Sequence, residues 1–90
     1  MPRFHFDLFM GSHVNLDEEG HEVASLQAAE IQAMRTAGEL ARDRLNMVRD
    51  ANSEDIRVEL RNEHQQPVLT VMVSIRIQRA DESPDITFRS

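Results

Sequence analysis

The apolar residues of this chain repeat at every second position, then on a helical period, then at every second position again. That order restricts the fold to strands on either side of one helix. From Arg3 to Met10, Phe4, Phe6, Leu8 and Met10 share one face and His5, Asp7 and Phe9 the other, the pattern of a half-buried strand. Gly11-Ser12-His13 supplies a turn, and Val14, Asn15 and Leu16 alternate before the charged turn Asp17-Glu18-Glu19-Gly20. A three-residue loop would set Met10 opposite Val14 and Leu8 opposite Leu16, with every apolar side chain on one face. A two-residue loop would put His13 and Asn15 there instead, so the longer loop is expected. Gly20 reads as a turn position that needs a positive φ.

Ser25 is placed to cap a helix. Leu26, Ala29, Ala33, Ala37, Leu40, Ala41 and Val48 recur at helical spacing, which predicts one helix from near Leu26 to near Val48, stopped by Asp50-Ala51-Asn52-Ser53. Beside that stripe, Ile31, Met34, Gly38 and Leu45 form a second apolar flank. It reads first as a broadened core face and second as a subunit contact. Further on, Ile56, Val58 and Leu60 alternate with Arg57, Glu59 and Arg61. After the polar stretch Asn62 to Gln66, Pro67 opens a long strand with Leu69, Val71, Val73, Ile75 and Ile77 on one face. Residues 80–90 lose periodicity and read as a flexible tail, with Ile86-Thr87-Phe88 too short to carry a strand. The expected fold is α+β, a ββαββ unit over residues 1–79 whose antiparallel sheet carries one long helix on one face.

Composition narrows the function. Ninety residues suffice for one core, and the absence of cysteine excludes disulfides and thiolate metal sites. A net charge of −6 with no Trp or Tyr opposes direct nucleic-acid binding. No apolar run is long enough to cross a membrane, so the chain is expected to be soluble and cytoplasmic.

The best chemical constellation is His5 with Asp7 on the outer face of the first strand, joined by Asp17 across the hairpin. Imidazole with carboxylates can hold a divalent ion or move protons. The competing reading, a wet sheet face with ordinary polar side chains, is preferred, so no metal, cofactor or catalytic role is assigned. Asp17-Glu18-Glu19 lacks the alternating ligands of a calcium loop. His13, His21 and His64 fall in expected turns, and no serine elbow or glycine-rich phosphate loop is present.

The expected role is therefore a non-enzymatic interaction module that forms a homodimer. Pairing Leu69 with Leu60, Val71 with Val58 and Val73 with Ile56 leaves Ile75 and Ile77 overhanging a shorter partner strand. Those two residues, with Ile31, Met34 and Leu45, are the interface candidates. An acidic antitoxin-like inhibitor of a small basic protein is the alternative.

Met1-Pro2-Arg3-Phe4-His5-Phe6, the block from Asp17 to Val23, the Ala-rich helix after Ser25 and the later apolar strand resemble a family of small uncharacterised bacterial proteins. That domain-of-unknown-function family opens M-P-R-[FY]-x-F and continues to a D-x-E-G turn. Two departures stand out. The stretch from Asn62 to Gln66 contains no Gly, which implies a differently shaped loop, and Val71-Met72-Val73-Ser74-Ile75 continues where the family shows V-P-F. The resemblance implies no activity. A looser likeness to HicB-type antitoxins concerns only the order of strands, acidic turn and helix.

Overall fold

The computed structural model describes residues 1–47, 53–78 and 80. Val48, the expected stop at Asp50-Ala51-Asn52 and all of the expected tail except Ala80 lie outside the described residues. In chain order the elements are β1 (Arg3–Met10), β2 (His13–Asn15), β3 (His21–Glu22), α1 (Leu26–Met47), β4 (Ser53–Arg61) and β5 (Pro67–Arg76). All pairings are antiparallel, in the order β2-β1-β4-β5, with β3 on the far end of β1. The α+β class and the single helix over the sheet are as the periodicity predicts.

Helix α1 starts where Ser25 caps it: the Ala28 N–H donates to Ser25 Oγ at 3.1 Å and the Ala29 N–H to the Ser25 carbonyl at 3.0 Å. It packs on β4 and β5. Its contact stripe is Ala29, Ala33 and Ala37, all fully buried, and side chains this small let the helix lie close over Val58 and Leu60. Phe4, Phe6 and Val23 complete the cluster from the β1 side. Leu8, Met10 and Ala41, expected in this core, are only half-buried. Leu26, counted in the core stripe, is exposed. The flank of Ile31, Met34, Gly38 and Leu45 is exposed too, which corrects its reading as a broadened core: one helix on a four-strand width buries a narrow stripe.

The β4–β5 register joins Leu60 to Leu69, Val58 to Val71 and Ile56 to Val73, as the matched alternation predicts. One expectation fails there. β4 begins at Ser53 and is not the shorter strand expected, so Ile75 pairs with Glu54, and only Ile77 lies past the end of β5. The first hairpin is also corrected. Met10 pairs with His13 and Phe9 with Val14, so the loop is the two residues Gly11-Ser12. Gly11 has φ 58 while Ser12 does not turn positive, the sign pattern of a type II′ turn. Turn geometry decides this register because β2 is three residues long and wholly exposed, leaving no burial to defend the other one.

Candidate functional site

The residues singled out for chemistry, His5, Asp7 and Asp17, do come together. The surroundings differ from the expectation: His5 and Asp7 are each 4 % exposed, not on a wet face. The cover is the chain from Leu16 to Gly20. β2 leaves the edge of β1 after Asn15 and β3 rejoins it at His21, so the intervening loop arches over β1's outer face. Gly20 makes the arch possible. Its φ is 75, and a Cβ there would stand 2.9 Å from Arg3 Cγ and 3.0 Å from His5 Cε1.

Asp17 is the hub. Its Oδ2 accepts the Phe6 N–H at 3.1 Å, a group that an unbroken neighbouring strand would have taken, and its Oδ1 accepts the Gly20 N–H at 3.0 Å. Its own N–H donates to Asp7 Oδ1 at 3.0 Å. The Asp17 carbonyl accepts from His5 Nδ1 at 2.7 Å and from Arg61 Nη2 at 3.1 Å. A carbonyl can only accept, so Nδ1 is the donor in this bond, while Nε2 lies 3.4 Å from Gln65 Nε2.

Arg61, on the polar side of the alternating β4 pattern, is the partner of Asp7. Nε lies 2.6 Å from Oδ2 and Nη2 2.9 Å from Oδ1, a two-pronged ion pair. Burial works against the charged form of Asp7, yet the hydrogen bond from Arg61, with the Asp17 N–H and the positive charge beside it, holds the carboxyl below the ordinary range. The same bond raises Arg61 further above the usual guanidinium value. Gln65, which takes the left-handed φ of 65 in the glycine-free loop, also accepts from Arg61 Nη1. The signal available in the sequence was an outward Asp on one strand and an outward Arg on another, legible only once β1 and β4 are known to be neighbours.

This arrangement is a clasp, in which Asp7 is held by the Arg61 guanidinium and Asp17 by backbone N–H groups. Among the described residues no three His, Asp or Glu side chains converge as ligands would. Of the other histidines, His21 sets its ring edge-on to Phe6 at 5.8 Å between centroids and His13 opens β2, both in strands and not in the turns expected.

The interface candidates lie at the opposite margin. Ile75 is half-buried on β5's inner face, and Ile77, Ile31, Met34 and Leu45 are exposed. Among the described residues no strand lies beyond β5, and no helix is long and apolar enough to cross a membrane. A groove of about 490 Å³ opens on the other side of the helix, between Gln32 and Thr36 of α1 and Phe6 and Leu8 of β1. A family model described as a domain of unknown function (DUF6894) matches residues 3–74, a span that contains both the clasp and most of β5. No curated protein and no solved structure matches the chain.

Proposed function

The chain belongs to the DUF6894 family, a domain of unknown function, and we propose that it is a non-enzymatic interaction module that self-associates through the open edge of its sheet. The observation that carries this reading is β5 itself. It is ten residues long, among the described residues it is joined to β4 on one edge only, and apart from its two ends, Pro67 and Arg76, it holds neither proline nor a charged side chain. Unprotected edges of that length present a row of N–H and C=O groups that a further strand can pair with, and proteins normally interrupt them with charge, proline or a bulge. The opposite margin has such protection, since β2 and β3 are three and two residues long with the arched loop between them. The clasp supports the non-enzymatic part of the reading, because the hydrogen-bonding capacity of Asp7 and Asp17 is committed to holding the loop.

Sedimentation equilibrium at micromolar concentration tests it. The chain should sediment as a dimer, and Met72→Lys, at an exposed mid-strand position, should shift it to monomer by setting like charges near each other across the pair. A wild-type chain that stays monomeric at high concentration overturns the reading. A one-to-one complex with a small basic protein and no self-complex would replace it with the inhibitor reading.

A further inference from the structure

The exposed flank of α1 has a spacing of its own. Gln27, Ile31, Met34, Gly38, Ala41 and Leu45 follow one another in alternating steps of four and three, the heptad seam along which two helices pack. Ile31, Met34 and Leu45 are 47 %, 56 % and 57 % exposed, and a Cβ added to Gly38 would meet nothing within 4 Å. The seam therefore has no partner within the described residues.

Its direction can be read from the groove. Gln32 and Thr36 face β1, since they line that groove with Phe6 and Leu8. At about 100° per residue, the seam lies on the other side of the helix, above and beyond the free edge of β5. Among the described residues the edge and the seam are both uncovered, and they form one continuous surface.

From this we infer that the seam is the second layer of a two-fold dimer, in which β5 pairs antiparallel with β5 of a second copy and the two α1 helices pack antiparallel across Gly38. The inference rests on the edge pairing proposed above. Spacing supports it. Strands in a sheet lie about 4.8 Å apart, so a helix seated over β4 and β5 and its copy over the matching pair would be about 9.6 Å apart. Helices pack at roughly 8–10 Å. Register supports it as well. Arg44 reaches Glu54, whose strand partner is Ile75, so Gly38, about one and two-thirds turns earlier, lies about 9 Å back along the helix. That is level with Met72 and Val73, close to the middle of β5. One two-fold axis can then pass through the middle of both elements, setting Gly38 against its copy and Ile31 against Leu45. Strand pairing alone hides little side-chain surface, whereas stable interfaces bury about 1,200–2,000 Å² in total. The seam supplies apolar side chains to that area.

Because the chain has no cysteine, single cysteines report the arrangement without background. On mild oxidation of the full chain, Gly38→Cys should form a disulfide-linked dimer. Ile31→Cys and Leu45→Cys should not link alone, their copies being about 20 Å apart, but a mixture of the two should give the crossed dimer. Ile31→Glu with Met34→Glu should weaken dimerisation at least tenfold while leaving the far-ultraviolet dichroism of the monomer unchanged, since both side chains are exposed. A monomeric wild type would overturn the edge and the seam together. A wild-type dimer sensitive to Met72→Lys, with no Gly38 cross-link and no effect of the glutamates, would leave the edge standing and remove the seam.

Discussion

β1 and β5 carry nearly the same alternating pattern and live in opposite circumstances. Along β1 four consecutive residues, Phe4 to Asp7, are buried, two of them polar; along β5 none is, although its inner face is entirely apolar. On β1 a loop closes the outer face and the core closes the inner one. β5 is the last strand of the described sheet, with only the helix above it. Burial therefore follows what covers a strand more closely than it follows the polarity of its side chains. The polar groups that β1 buries are kept soluble in the interior by being paired.

The comparison breaks first at Phe6. Replacing it with Ala should cost about 3–5 kcal/mol, the usual range for a buried Phe, seen as a lowered midpoint in chemical denaturation. An unchanged midpoint would mean that β1 is no better covered than β5.

Asp7→Ala comes next. It leaves Arg61 beside a buried gap, and because that guanidinium is partly solvated the loss should be about 2–4 kcal/mol, toward the lower part of the range for a severed buried pair. A double-mutant cycle with Arg61→Ala should show coupling between the two; additive losses would mean that the clasp is not a unit. The same pair sets an acid limb. Folded Asp7 titrates below the roughly 3.9 of an unfolded chain, so its contribution is complete above that pH and disappears as the pH falls through the lower folded value. Asp7→Asn should flatten the fall in stability below about pH 4, and a limb of unchanged slope would contradict the ion pair.

Gly20→Ala should cost about 1–2 kcal/mol for the left-handed backbone, and more because the new Cβ meets Arg3 and His5. Gly11→Ala shares the positive φ, but its Cβ would meet only the flexible end of Glu54 at 3.4 Å, so it should cost less. Equal losses on thermal melting would show that the loop does not press on His5. The smallest effect belongs to β5: Met72→Ala should change the stability of the monomer by no more than about 0.5 kcal/mol, as exposed positions do, while weakening self-association. A large loss in dilute monomer would mean that the outer face of β5 is covered after all.

Local pattern was enough for part of this molecule. The Ser25 cap, the start of α1, the Leu60–Leu69 register and the positive φ of Gly20 each depend on neighbours in the chain or on two strands joined by a short loop, and periodicity reports such relations directly. The Gly11-Ser12 turn is not legible from side-chain matching, because β2 is three exposed residues with nothing to bury and turn geometry alone sets its register. The sequence by itself determined which residues share a face and where faces change period, because those are properties of backbone geometry over a few residues. Only the tertiary structure decided that β1 lies next to β4, that a loop roofs His5 and Asp7, that Arg61 meets Asp7, and that the second helix flank is uncovered among the described residues. Each of those depends on which distant segment covers a face, and coverage is set by the packing of the whole chain, which no local period encodes.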